Sequence, residues 1–263
     1  MRIATWNINS VRLRIERVAA LAKENDPDII CLQETKVRDE LFPLEAVHEI
    51  GYPHVAFSGM KSYNGVAILS RLPLKDVQRR EWCGRSDCRH ISAKLPGGIE
   101  LHNFYVPAGG DEPDREKNEK FGHKLDFLDE MTEWFPANRT ARRKMILVGD
   151  LNIAPLETDV WSHKQLLKIV SHTPIEVEKL GNVQNSVNWV DAVRHSIPES
   201  EQLFSWWSYR ARDWDISNRG RRLDHIWVTP PLKKTLKGAT VLREARGGEK
   251  PSDHVPVMVD FDL

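Results

Sequence analysis

The chain has 263 residues, of which 40% are hydrophobic and 29% charged, enough apolar side chains for a sizeable core and too many for a disordered chain. Its 38 lysines and arginines balance 38 aspartates and glutamates, so net charge alone cannot hold a polyanion and any nucleic-acid site must be a local patch. No linker interrupts the sequence, and a single domain over 1–263 is expected. Three cysteines, Cys31, Cys83 and Cys88, match neither a zinc site nor a disulfide scaffold, so they read as bystander thiols in a reducing compartment. "MRIATWNINS" lacks the apolar stretch of a signal peptide, and no run approaches the ~18 apolar residues of a membrane span. A cytoplasmic protein with no membrane partner is the expectation.

In chain order, Ile3 to Ile8 reads as a strand and Val11 to Asn25 as a helix with Val11, Ile15, Val18, Leu21 and Ala22 on one stripe. Pro27 breaks the chain before an apolar strand, Ile29 to Leu32, with Glu34 just past its end. Val66 to Leu69, Ile91 to Leu95 and Ile99 to Val106 follow as strands, the last two joined by the turn "PGG". A helix is expected from about Glu116 to Phe135, where Phe121, Leu125, Leu128 and Met131 keep helical spacing. "KMILVGDLNIAP" runs four apolar residues into a glycine and sets Asp150 and Asn152 at the mouth of a buried strand. A short helix around Trp161 to Ile169, an irregular stretch to about Pro198, and strands at Leu203 to Trp207, Arg222 to Val228 and Val255 to Phe261 complete the chain. Helices early and strands throughout predict a layered α/β sandwich. The similar endings "WNIN" and "GDLN" hint at two related halves.

Polar side chains recur at the strand ends: Asn7 and Asn9, Glu34, Asp150 and Asn152, Asp224, and Asp253 with His254. Singly, each reads as a turn former or helix cap. Together, carboxylates, carboxamides and one imidazole are what a hard, oxygen-preferring cation and a phosphate require. A phosphodiester repels an incoming nucleophile, and a divalent ion held by one or two carboxylates offsets that charge. Asn7 and Asn152 can hold phosphate oxygens or a water without adding negative charge. Asp224 paired with His254 would fix the ring tautomer and leave the other nitrogen for phosphate or water. The remaining histidines, His90, His102 and His123 among them, show no metal-ligand spacing.

"WNINSVR", "LQETK", "NFYVP", "GDLNIAP", "RRLDHIWV" and "PSDHVPV", in this order over nearly the whole chain, resemble the exonuclease III family of the endonuclease/exonuclease/phosphatase superfamily. The resemblance implies a four-layer α/β sandwich of two packed mixed β-sheets flanked by helices. It also implies a Mg²⁺-dependent monomer, with Mn²⁺ as substitute, that cleaves 5′ to abasic sites in double-stranded DNA and removes nucleotides or blocking groups from 3′ ends. Carried onto this chain, Glu34 would be the principal metal ligand with Asn7 and Asn9 beside it, and Asp150, Asn152, Asp253 and His254 would complete the metal set. Asp150 would orient or deprotonate the attacking water, Asn152 would stabilise the pentacovalent phosphorus, and Tyr105 would place its phenol near the phosphate. His254, oriented by Asp224, would contact the scissile phosphate, with Asp253 supporting the metal or the histidine. Asp150 is the preferred base over His254.

Ala108 and two glycines stand where the better-known members carry an amide side chain, and Arg221 stands where they place a Trp or Leu. Both departures bear on abasic-site preference and leave the metal site intact. "LFSWWSYRARDWDISNRGRR" interleaves aromatics with arginines, and Trp206, Trp207, Arg210, Arg219 and Arg221 are the expected DNA contacts. The basic runs at Asn138 to Lys144 and Lys233 to Lys237 read as solvated surface. Three alternatives remain open: the same chemistry on RNA or a small phosphate ester such as a phosphoinositide, a 3′-end processing nuclease with weak abasic-site activity, and a DNA-binding module without catalysis.

Overall fold

A computed structural model describes residues 1–263. Its strands are β1 (Arg2–Asn7), β2 (Ile29–Gln33), β3 (His54–Met60), β4 (Tyr63–Ser70), β5 (Lys75–Gln78), β6 (His90–Leu95), β7 (Ile99–Tyr105), β8 (Met145–Asp150), β9 (Val190–Asp191), β10 (Trp206–Trp207), β11 (Gly220–Arg221), β12 (Asp224–Val228), β13 (Leu236–Val241) and β14 (Val257–Phe261). The helices are α1 (Ile15–Asn25), α2 (Leu44–Glu49), α3 (Glu119–Asn138), α4 (His163–Leu166), α5 (Pro174–Ser186), α6 (Ala192–Ser196), α7 (Trp214–Ser217) and α8 (Pro230–Lys233).

Two six-stranded sheets carry the fold, one in the order β13-β14-β1-β2-β4-β3 and one in the order β5-β6-β7-β8-β12-β9. Their central strands are apolar on both faces because both faces are covered. Ile3, Ile29, Cys31, Val66 and Ile68 of the first sheet meet Ile91, Leu101, Ile146, Val148 and Ile226 of the second in one core. The opposite face of the first sheet packs Trp6, Ile30, Leu32 and Leu69 against Val18 and Leu21 of α1. The outer face of the second packs Phe104, Leu147 and Trp227 against Phe127, Leu128 and Met131 of α3 and Leu180 and Val183 of α5. These packings make the four-layer α/β sandwich that the sequence motifs implied.

The sheets share one pairing pattern. In the first, β1 is parallel to β2 and antiparallel to β14; in the second, β8 is parallel to β7 and antiparallel to β12. β1 and β8 therefore hold equivalent central positions, which is the structural content of the "WNIN" and "GDLN" likeness. The antiparallel neighbours begin where β1 and β8 end, so Asp224 lies directly opposite Asp150. The ends of β1, β2, β7 and β8 and the starts of β12 and β14 thus form one rim.

Several expected boundaries move. The first helix begins at Ile15, because Ser10 and Val11 donate their N–H groups to Glu34 and Thr35 carbonyls and are held in the rim. The stretch expected to be irregular up to Pro198 contains α5 and α6, with α5 opened by a Thr173–Glu176 capping box and Pro174. The helix expected over Trp161 to Ile169 shrinks to α4, and the strand over Leu203 to Trp207 to the two residues of β10. No helix is long and apolar enough to cross a membrane.

Candidate active site

Asn7 ends β1 in a buried position and donates from Nδ2 to Glu34 Oε1 at 2.9 Å and to Asp150 Oδ2 at 2.9 Å. Tyr105, at the end of β7, donates its hydroxyl to the same Glu34 oxygen at 2.8 Å. Glu34 lies just past β2 with a left-handed φ of +51°, and Lys36 and Asn152 share that region at +52° and +55°. Such backbone is costly for residues other than glycine and clusters at functional sites. Gly149 has a different reason: a Cβ there would fall 1.9 Å from the Phe104 carbonyl oxygen of neighbouring β7. Only glycine lets the strand carrying Asp150 approach so closely.

His254 and Asp224 meet as the residues suggested, with Nδ1 2.8 Å from Asp224 Oδ2. Ser205 donates to the same carboxylate oxygen at 2.6 Å, fixing it from behind. His254 Nε2 points toward Asp150, 3.6 Å from Oδ2. Burial alone would keep this ring neutral, but the Asp224 and Asp150 carboxylates outweigh it and raise its pKa to about 10. Burial likewise drives Asp150 upward, to about 7, with Asp224 and Glu34 adding to the push while His254 and the Asn7 amide oppose it. Burial also pushes Glu34 up, yet the Lys36 ammonium and the Asn7 amide win and hold it below the usual carboxylate range. The Tyr105 phenol, buried beside Glu34 and Asp150, is raised well above its usual value and stays a neutral donor.

A second group adjoins this one. Asn9 donates from Nδ2 to Asp253 Oδ1 at 3.0 Å, and Trp206 donates its indole N–H to Asp253 Oδ2 at 3.0 Å. Asp253 therefore supports Asn9 and Trp206, with no hydrogen bond to the histidine. The Lys36 ammonium sits 2.6 Å from both Glu34 Oε2 and Asn9 Oδ1. These two oxygens consequently face one cation-sized position, and an oxygen-only donor set of this kind fits a hard divalent ion. Asp150, Asp224 and His254 also bring possible ligand atoms within 4.8 Å of one another. Nδ1 of His254 is taken up by Asp224, which leaves Nε2, on the Asp150 side, as its other ring nitrogen.

Asn152 is fixed at its backbone N–H by Asp150 Oδ1 and at its Nδ2 by the Val106 carbonyl, each at 2.9 Å. Of the expected DNA contacts, Trp207 is corrected. It is 2% exposed, packs on Phe204 and Val255, and bonds Asn218 through its indole N–H, so it is a core residue out of reach of DNA. Trp206 is partly exposed and bridges to His254 along the backbone. Arg221 stacks over Trp206 at 5.1 Å and donates to Val170 O and Ser171 Oγ. Arg210 and Arg219 are exposed, and Arg219 lies over Trp161 at 4.7 Å. The residue reading missed Ser205, and it assigned no role to Lys36 although "LQETK" contains it; neither has a periodic signal.

Two stacked mixed sheets with carboxylates, carboxamides and an imidazolium on their shared rim define an α/β-sandwich hydrolase. Residues 4–254 match the model of the Endonuclease/Exonuclease/phosphatase family. The chain is 31% identical to exodeoxyribonuclease III of Haemophilus influenzae, over 99% of this chain and 100% of that one. It superposes on an AP endonuclease from Archaeoglobus fulgidus with a TM-score of 0.92 at 35% identity, covering 100% of both chains. It also superposes on a 3′ phosphatase from Neisseria bound to a product DNA hairpin, with a TM-score of 0.91 at 32% identity and 100% coverage of both. The chain belongs to the endonuclease/exonuclease/phosphatase family and, within it, to the exodeoxyribonuclease III nucleases.

Proposed function

We propose that this protein is a divalent-metal-dependent DNA repair nuclease with Mg²⁺ as its resident ion and Mn²⁺ as a substitute. Its substrate is double-stranded DNA, hydrolysed at 3′ ends and on the 5′ side of abasic sites. The observation that carries this reading is the Asp224–His254–Asp150 array directly beside the cation-sized position between Glu34 and Asn9. The relatives' names supply the nucleic-acid substrate, and the neighbour holding a DNA hairpin supports it.

In this reading Glu34 and Asn9 hold the ion, with Asp253 and Trp206 keeping Asn9 in place. An ion held there would supply Lewis-acid polarisation of a phosphoryl oxygen and offset charge on the leaving oxygen. Asp150, oriented by Asn7 and by the Asn152 N–H, takes the proton of the attacking water. His254 stays an imidazolium through Asp224 and meets the phosphate's negative charge with a donor. Asn152 offers the second hydrogen of its carboxamide as a neutral donor to a phosphate oxygen, and the Tyr105 hydroxyl holds Glu34, so no further negative charge enters the site.

One observation weights the activity toward 3′ ends. Arg221 is pinned between Trp206 and the 170–171 turn, so it forms a fixed cationic wall beside the site. A rigid guanidinium suits a terminal phosphate better than a bare deoxyribose. Two end-labelled duplexes, one with a central abasic analogue and one with a recessed 3′-phosphate, test both readings in Mg²⁺, Mn²⁺ and chelator. Metal-dependent product from either duplex supports the nuclease, and faster 3′-phosphate release supports the Arg221 reading. No metal-dependent product from either would overturn the proposal.

A further inference from the structure

Lys124 of α3 is 0% exposed, although lysines are almost never fully buried unless paired. Its partner, Glu176 in the first turn of α5, is also 0% exposed, with Nζ 2.5 Å from Oε1. The ammonium makes two further contacts, to the Asn152 carbonyl at 2.8 Å and the Ala108 carbonyl at 3.3 Å. Three donors therefore meet three acceptors. Glu176 in turn accepts from the Ser171 and Thr173 N–H groups and from the Thr173 hydroxyl. The pair ties together the segments 106–110, 150–152 and 170–173, and the last of these is the one Arg221 grips.

The loop after Tyr105 is shaped around this lysine. Gly109 has φ +90°, and a Cβ there would lie 2.9 Å from Lys124 Cδ and 3.0 Å from Val170 Cγ1. The Ala108–Gly109–Gly110 sequence thus lets the chain run directly over the lysine stem. Asn152, itself in the left-handed region, is held by its N–H, its side-chain amide and, through Lys124, its carbonyl. Stability alone does not account for such a pair, because apolar residues of similar volume are often as stabilising as a buried ion pair or more so. What the pair supplies is a fixed hydrogen bond at the back of Asn152.

We propose that Lys124, oriented by Glu176, is a positioning residue for phosphodiester hydrolysis. It fixes the Asn152 backbone, hence the Asn152 carboxamide and, through the Asn152 N–H, the Asp150 carboxylate. It does not touch the substrate. The inference rests on the functional reading above.

The test compares wild type with Lys124→Met and with Lys124→Met/Glu176→Gln, in the full chain. The double variant leaves no buried charge unpaired and keeps a capping acceptor at 176, so it carries the test if the single variant fails to fold. Expected in the folded double variant are a kcat reduced about 10- to 100-fold, an unchanged KM, and DNA affinity in chelator within about twofold of wild type. The Asn152 backbone and side-chain amide resonances of the metal-free protein should also shift. A kcat within about twofold of wild type, or a loss confined to KM and DNA affinity, overturns the proposal. If wild type cleaves neither duplex, the functional reading has failed; unchanged Asn152 resonances in the variant then overturn the positioning claim separately.

Discussion

Asp150 is 1% exposed and accepts from the Asn7 amide and the Asn152 N–H, so its rotamer is set before any substrate arrives. Asp150→Asn should lower kcat about 10²- to 10⁴-fold, the range for losing a general base, while near- and far-UV circular dichroism stay unchanged. Steady-state cleavage of an abasic duplex checks this. In the proposed mechanism the active form has Asp150 ionised and His254 protonated. The rate should therefore rise with pH through a midpoint at or below about 7, where Asp150 loses its proton, and fall again toward about 10. His254 also has a stability signature. Its folded pKa of about 10 exceeds the ordinary 6.5, so its charge stabilises the fold fully below about pH 6.5 and the contribution is lost as pH rises through 10. Urea titrations at pH 6, 8 and 10 should find the deficit of His254→Gln largest at pH 6 and smallest at pH 10.

At the scale of elements, the segment from β10 to β11 is in sequence one aromatic and basic stretch, and the fold divides it. Trp207 goes inward because it packs with Phe204, Trp214 and Val255, while Trp206 faces the rim and bonds Asp253. Alternation along even a two-residue strand sends neighbouring side chains to opposite faces. Arg219, exposed and stacked on Trp161, is the arginine of this segment we propose as a phosphate contact. Arg219→Ala should weaken binding to all duplex sequences alike and reduce the slope of log K against log salt by about 0.9, measured in chelator by fluorescence anisotropy. An unchanged slope would remove Arg219 from the DNA surface. Helix α5 illustrates a different limit: its polar composition hides the apolar stripe, yet "TPIE" carried the capping box that marks its start.

Across the whole molecule, the two sheets are joined by polar bonds as well as by apolar packing. Asn103 of β7, fully buried, donates to the Leu32 and Ala67 carbonyls of the opposite sheet at 3.0 and 2.9 Å and accepts from Gln33 Nε2 at 2.7 Å. This network sits beneath the rim and fixes how the sheet carrying Asn7 and Glu34 meets the sheet carrying Tyr105 and Asp150. Asn103→Leu should cost at least about 2 kcal/mol, since each stranded buried polar group costs about 1–3 kcal/mol. Chemical denaturation reads that loss directly. The same variant should lower kcat more than its unfolded fraction explains, because the two halves of the site would lose their register.

The sequence by itself determined the central strands, the helices α1 and α3, and the polar strand ends Asn7, Asn9, Glu34, Asp150, Asn152, Asp224, Asp253 and His254, because apolar runs ending in polar side chains are written locally. Aligned with the family motifs, those runs also carried the fold class. It could not determine that Asp253 serves Asn9 and Trp206, that Ser205 backs Asp224, or that Trp207 is core. Nor could it pair Lys124 with Glu176, 52 residues apart in the chain. Those outcomes depend on which strand ends share a rim and which faces another layer covers. Only the stacking of two sheets decides them, since contacts between residues far apart in the chain leave no periodic trace in it.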